Sequence, residues 1–220
     1  MKLSMLKSLL LSLLMSVVCT AAFAAPAAFD AELLAIQQAW AVANYQTPEG
    51  AAREAAFETL SQRAAAFAKQ NPGRAEPLIW EGIVLSTYAG AKGGLGALGL
   101  AKQARDRLEA ALAIDGTALD GSAYTSLGSL YSKVPGFPVG FGNDKKAREY
   151  LEKGLAINPN GIDSNYFFGE YLYDHGDYAQ ALAHLDKAMK AAPRPNRESA
   201  DAGRRQDIAA IVEKVKARQS

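Results

Sequence analysis

The sequence predicts an all-α protein, built as a right-handed helical solenoid of about nine helices. Alanine is abundant and β-branched residues are sparse, which favours helices over strands. A pattern of large and small residues occurs three times between residues 74 and 195, and the second and third copies end in proline. With 220 residues, of which 49% are hydrophobic, the chain is long and apolar enough to fold as one such stack.

The clearest copy of the pattern lies between residues 162 and 195. Its small residues, Gly169 and Ala181, are expected where the two helices of a hairpin cross at close range, with Phe168 filling the space beside them. Asp177 is expected to cap the second helix and Pro193 to end it. This spacing is typical of the tetratricopeptide repeat (TPR), a hairpin of two antiparallel helices.

Two upstream copies are expected to form similar hairpins. Each contains a Gly- or Pro-rich insertion between its helices, at residues 89–99 and 134–144. The small residues expected at the three helix crossings are Gly82, Ala104, Gly128, Ala147, Gly169 and Ala181.

The insertions are candidate functional loops, because long loops inside a compact repeat often carry function. In the second insertion, Phe137, Val139 and Phe141 would be costly to leave in water. We therefore expect them to pack back onto the stack or to line a ligand cavity. The sequence does not choose between a binding role and a covering role for these loops.

The remaining segments flank the repeats. Residues 25–73 predict an N-terminal helix pair that acts as a cap or a degenerate repeat. Residues 196–220 predict a C-terminal capping helix with one apolar and one charged face.

Residues 1–24 have the pattern of a cleaved signal peptide, which predicts a periplasmic protein. Lys2 and Lys7 precede a short apolar stretch, and Ala22-Phe23-Ala24 supplies the small residues of a cleavage site. The apolar stretch is short for a membrane span, so no span is expected after cleavage. Cys19 is the only cysteine, but Val18 before it disfavours a lipoprotein.

The concave face of such a stack is the expected binding groove, and it mixes apolar, hydroxyl and acidic groups. It lacks the run of Lys, Asn and Arg that clamps a peptide carboxylate in chaperone-type repeats, so an amphipathic small molecule or a partner's surface fits it better. The groove residues expected from the repeat register are Ile79, Ile83, Ser86, Thr125, Ser129, Ser132, Tyr166, Glu170 and Tyr173.

Other chemistries find little support in the sequence. A net charge of +1 without a basic stripe argues against nucleic acid. The glycines of 94–99 match a dinucleotide fingerprint in spacing, but a helix is predicted before them where a strand is required. His175 and His184 are too few for a zinc site, and no catalytic constellation is present. We expect no enzyme activity, no metal and no cofactor.

Several stretches together resemble the T-component family associated with tripartite ATP-independent periplasmic (TRAP) transporters. They are WEGIVLSTYAGAKGGLGAL at 80–98, the segment from SLGSLYSKVPGFPVGFGNDKKA through FFGEYL at 126–172, and RPNRESADAGRR at 194–205. The resemblance implies a TPR-like body with a pore or apolar cavity. It also implies a periplasmic solute-binding protein as the partner and a hydrophobic or organic-acid solute.

These observations support two functional hypotheses. The first is an accessory of a TRAP-type transport system that binds a small apolar or amphipathic ligand. The alternative is a protein–protein interaction scaffold in envelope assembly.

Overall fold

The computed structural model describes residues 26–219, and the predicted all-α stack is confirmed there. Residues 1–24, with the predicted signal peptide and Cys19, lie outside the described part. One isolated bridge joins Gly136 to Gly142. The helices are α1 (Pro26–Ala41), which continues as a π-helical turn (Val42–Gln46), α2 (Ala51–Gln70), α3 (Ala75–Lys92), α4 (Gly94–Ile114), α5 (Ala118–Lys133), α6 (Asp144–Ile157), α7 (Ile162–Asp174), α8 (Tyr178–Met189) and α9 (Glu198–Gln219).

Three hairpins, α3–α4, α5–α6 and α7–α8, stack in chain order as the repeat pattern predicts. The small residues do lie at the crossings. A Cβ atom on Gly128 would come within 2.9 Å of the backbone nitrogen of Leu151, and one on Gly82 within 3.2 Å of the carbonyl oxygen of Ala104. The alanines of the second helices are fully buried. Small residues are therefore required for the helices of each hairpin to approach this closely.

The turn of the third hairpin also matches its prediction. Gly176 has a φ of +79°, a left-handed conformation that favours glycine. The Asp177 carboxylate accepts a hydrogen bond from the backbone N–H of Gln180, which makes it the N-cap of α8.

The first predicted insertion is not a loop. Helix α3 continues to Lys92 and α4 begins at Gly94, so the extra residues lengthen both helices, to 18 and 21 residues. Only Gly93 and Gly94, with φ of +62° and +59°, make the turn. Alanine and leucine between the glycines of this segment favour helix, and Ala89 is buried in the stack.

The second insertion is a loop over residues 134–143, and the backbone holds it together. The N–H of Gly142 donates to the carbonyl of Pro135, and that of Gly140 to the carbonyl of Gly136. Asn143 N–H donates to Tyr131 O, and the Asn143 side chain caps α6. The loop therefore has a defined shape of its own.

No helix of residues 26–219 combines the length and the apolar character needed to cross a bilayer.

Candidate functional site: the concave face and its C-terminal arm

The concave face is formed by α3, α5 and α7, which pack side by side. Six of the nine predicted groove residues are half-buried there and keep some access to solvent: Ile83, Ser86, Ser129, Ser132, Glu170 and Tyr173. Lys133 spans α5 and α7, with its Nζ at 2.7 Å from an oxygen of Asp174 and 3.3 Å from one of Glu170. This open part of the face therefore presents hydroxyls, paired charges and one tyrosine.

The other three predicted groove residues are buried, so their placement on an accessible surface was wrong. Ile79 belongs to the central core, and Thr125 packs against Gly154 of α6. The side chains of Ile79 and Thr125 therefore pack against other helices of the stack and do not line the groove. Tyr166 lies on the concave side but is covered by the guanidinium of Arg204, which lies 4.3 Å from the centre of its ring.

The cover over Tyr166 comes from residues 194–207, which we call the C-terminal arm. Arg204 of the arm is buried and donates from Nε to Asp163 Oδ1 at 2.8 Å. Its guanidinium also lies 4.7 Å from the ring centre of Phe167. Arg204 thus binds α7 through one ion pair and two aromatic faces.

Arg194 ties the start of the arm to the same carboxylate. Its Nη1 lies 2.6 Å from Asp163 Oδ2, and its Nη2 lies 2.6 Å from Asp201 Oδ1. The backbone N–H of Arg194 donates to Asp201 as well. Asp163, in the first turn of α7, therefore joins two arginines of the arm.

The arm also reaches the N-terminal helices. The hydroxyl of Tyr45, in the π-helical turn, donates to Asp207 at 2.8 Å. Gly203 lies so close to the Tyr45 ring that a side chain on Gly203 would collide with it. Beyond the arm, Ile208 and Val215 are buried among side chains of α7 and α8. The C-terminal helix therefore joins the last hairpin to the first helix, which is more than the predicted capping of one end.

The electrostatics of the arm are set by this pairing. Burial alone would raise the pKa of the Asp163 carboxyl, but Arg204 and Arg194 outweigh it and hold that pKa well below its usual range. Burial, with the Asp207 carboxylate, raises the pKa of Tyr45, so its hydroxyl stays protonated as a donor. At neutral pH the Asp163 carboxyl is therefore charged and the Tyr45 hydroxyl is protonated, as their hydrogen bonds require.

Arg197 is the exception within the arm. Its Nη1 donates to Gln37 Oε1 at 3.1 Å, and its guanidinium lies 5.1 Å from the ring centre of Trp80. Its Nε is buried and has no hydrogen-bond acceptor among the described residues. Burial lowers the pKa of Arg197 to about 10, with the nearby Arg194 contributing in the same direction.

The predicted insertion-loop residues divide into two kinds. Phe137 is 94% exposed and Val139 is 66% exposed, so neither packs on the stack nor lines a cavity. Phe141 does pack back: its ring meets Tyr131 edge-on at 5.4 Å, and Arg105 lies over it at 4.7 Å. The loop is shaped by its backbone hydrogen bonds. They place the Phe141 side chain against the stack and leave Phe137 and Val139, at the tip of the loop, in solvent.

Among residues 26–219, no three His, Cys, Asp or Glu side chains converge in a way that could hold a metal ion. His184 contacts the Asn165 side-chain oxygen at 3.1 Å, and His175 contacts the carbonyl of Tyr171 at 2.8 Å.

Sequence reasoning missed the arm as part of the groove. The available signal was RPNRESADAGRR at 194–205, which holds four arginines together with Glu198 and Asp201. Charged residues of both signs in that density indicate pairing with another charged group, and Asp163 in the first turn of α7 was the matching partner.

Comparisons with known proteins add little. No family model matches the chain, and no curated protein matches it. Among solved structures, the chain is similar to one described as the functional characterisation of pilF from Pseudomonas aeruginosa, with 17% identity over 84% of this chain and 90% of that one, at a TM-score of 0.35. A TM-score this low carries no argument about the fold or role of this chain, which rest on its own helices and contacts.

Proposed function

We propose that this chain is a non-catalytic adaptor that binds a protein partner along the open part of its concave face. The observation that carries the proposal is that one end of this face already holds polypeptide. The arm is bound there by Asp163, Tyr166 and Phe167 through ion pairs and aromatic contacts. Such contacts are those that TPR-like grooves can offer to a segment of another protein.

The open part continues the same face and has suitable chemistry for a polar chain segment. Ser129 and Ser132 provide hydroxyls, and Tyr173 provides a large ring. The Lys133–Glu170 pair can exchange its internal bonds for bonds to a partner, because Lys133 remains nearly half exposed. These groups support the interaction-scaffold hypothesis over a purely structural role.

A small apolar ligand is less well supported. The residues expected to line its cavity are solvent-exposed at Phe137 and packed against Tyr131 at Phe141. The Gly-rich segment 89–99 is helical and forms no loop over a cavity. The role as an accessory of a TRAP-type transporter therefore rests on the sequence resemblance alone, and in that role the partner would be a solute-binding protein.

The periplasmic location is likewise a proposal. It is supported by the signal-peptide pattern of residues 1–24. Cleavage can be tested by mass spectrometry of the protein recovered from the producing cell.

Site-specific photo-cross-linking tests the proposed face. A photoreactive phenylalanine analogue replaces Ser132 on the concave side, and in a matched control it replaces Glu152, exposed on α6. We expect one defined cross-linked protein from position 132 and none from 152. Lys133→Glu should weaken that cross-link, whereas Lys153→Glu, on the outer side of α6, should not. Equal cross-linking from both positions would contradict the proposal.

A further inference from the structure

The loop between α5 and α6 exposes apolar side chains at its tip. Phe137 is 94% exposed and Val139 is 66% exposed, and Pro138 between them is exposed as well. Among the described side chains, the next most exposed large hydrophobic one is Val42, at 47%. Apolar side chains gathered at one point of a surface indicate contact with a membrane or with another molecule.

The backbone of the loop keeps this tip in solvent. The N–H of Gly140 donates to the carbonyl of Gly136 at 3.1 Å, and the N–H of Gly142 donates to that of Pro135 at 2.9 Å. These bonds tie together the residues on either side of the tip, while Phe141 packs on the stack behind it. The tip is therefore held in a projecting shape, so little conformational entropy is lost when it binds.

Basic side chains surround the base of the loop. Helices α4 and α6 both begin at the edge of the stack from which the loop projects. From α4, the Arg105 guanidinium lies 4.7 Å from the centre of the Phe141 ring, and Lys102, one turn nearer to the start of that helix, is exposed. From the first turn of α6, Lys145 and Lys146 are exposed. Four cationic groups therefore lie on two sides of the apolar tip.

Acidic side chains are fewer at this edge. Asp106 is paired with the arginine before it at 2.7 Å, and Asp144 begins α6. Glu109 and Glu149 lie one turn further from the tip, along α4 and α6. Even without Lys133, which is paired with carboxylates of α7, four basic side chains face two acidic ones around the loop. This edge therefore suits an anionic surface.

We propose that the loop tip inserts into the interface of a phospholipid bilayer that contains anionic lipids, while the basic side chains around it contact lipid phosphates. Two or three apolar side chains bury roughly a few hundred Å², which is less than the about 1,200 Å² of a stable protein–protein interface. A bilayer needs no matching cavity and accepts a projecting tip of this size. The binding is peripheral and reversible, because the inserted part is small. It does not rest on the protein partner proposed for the concave face.

Tryptophan fluorescence with vesicles tests the insertion. Phe137→Trp places a reporter in the tip, and Ile114→Trp places one at an exposed apolar position at the other end of α4. The vesicles contain phosphatidylcholine alone, or phosphatidylcholine and phosphatidylglycerol in a three-to-one ratio. We expect a blue shift at position 137, with quenching by lipids brominated on the acyl chain, in the anionic vesicles. We expect no change at position 114, and any vesicle binding by the rest of the chain is common to both reporters. Trp40 and Trp80 are buried and give a constant background.

Vesicle flotation compares the binding of further variants with that of the parent protein. Replacing both Phe137 and Val139 by Ser should weaken binding to the anionic vesicles by about ten- to a hundredfold, because apolar burial is lost. Lys146→Gln should weaken it by about fivefold, because one cation near the lipid surface is lost. Ile114→Ser and Lys214→Gln, at exposed positions away from the loop, are the matched controls and should bind like the parent. Circular dichroism establishes that each variant is folded.

Three results would overturn the assignment: unchanged emission from position 137 in the anionic vesicles, equal binding of the parent and the double serine variant, or equal binding to the two kinds of vesicle. A photoreactive phenylalanine analogue at position 137 gives an independent reading. Cross-linking to lipid in the anionic vesicles would support the insertion. Cross-linking in the producing cell to one defined protein and to no lipid would overturn it, in favour of an apolar cavity on that protein.

Discussion

Arg204 of α9 donates from Nε to Asp163 Oδ1 of α7 at 2.8 Å, across 41 positions of sequence. The same guanidinium contacts Asp207, which accepts a hydrogen bond from Tyr45 in the π-helical turn that ends the first helix. One chain of bonded side chains thus runs from the last hairpin to the first helix. The two ends of the stack are connected through the concave side.

The first prediction concerns Arg204. Arg204→Gln should lower the free energy of unfolding by about 3–5 kcal/mol. The reason is that Asp163 and Asp207, which are both half-buried, each lose one cationic partner. Urea denaturation followed by circular dichroism measures this. Arg205→Gln is the control, since Arg205 donates to the backbone carbonyl of Ala191 and not to a buried carboxylate. Equal losses for the two variants would show that Arg204 has no special role.

The second prediction concerns pH. The pKa of the Asp163 carboxyl is lowered in the folded protein, so its stabilising contribution is present above the unfolded pKa of about 3.9 and is lost as pH falls through the folded value. The difference in unfolding free energy between the parent protein and Asp163→Asn should therefore be constant above about pH 5 and shrink below about pH 4. A difference that instead shrinks as pH rises from about 5 to about 8 would contradict the assigned pairing.

The hairpins could be predicted because their signal is local. Gly128, Gly169 and their alanine partners recur in the same order along the chain, and each crossing joins two residues of one hairpin. The arm could not be predicted in this way. Asp163 and Arg204 come into contact only when the hairpins have stacked. The periodicity of a single segment does not indicate which distant carboxylate an arginine pairs with.

The insertions show a second limit. At 89–99 the glycines suggested a loop, but the alanines and leucines between them, together with packing against the stack, favour helix. At 134–143 the loop itself was predicted, whereas the direction of each side chain was not. That direction is set by the backbone bonds of Gly140 and Gly142, which a hydrophobic pattern does not encode.

The third prediction separates the two phenylalanines of that loop. Phe141→Ser should destabilise the protein by about 2–4 kcal/mol, because its half-buried ring packs on Tyr131 and Arg105. Phe137→Ser should leave the melting temperature unchanged, because that ring is 94% exposed. Thermal unfolding of the two variants makes the comparison, each serving as the other's control. Equal destabilisation would mean that Phe137 is also packed.

The fourth prediction concerns the helix crossings. Gly128→Ala should destabilise the protein by about 1–3 kcal/mol, because the new Cβ would lie 2.9 Å from the Leu151 backbone nitrogen, which cannot move independently of α6. Gly90→Ala is the matched control: Gly90 is also helical, and its new Cβ would meet nothing within 4 Å. That change should be neutral or stabilise by about 0.5–1 kcal/mol. Denaturant midpoints report both, and a Gly128→Ala protein as stable as the parent would contradict the close crossing.

Closure of the concave side by the arm is most directly tested by hydrogen–deuterium exchange, comparing the parent protein with Arg204→Gln under native conditions. We expect slow exchange in the parent across the first half of α9. In the variant we expect faster exchange in that half of α9 and, at the same time, in residues 36–46 of the N-terminal pair, while α5 and α6 remain unchanged. Faster exchange in α9 without any response in residues 36–46 would contradict the account, because it would show that the arm does not connect the two ends of the stack.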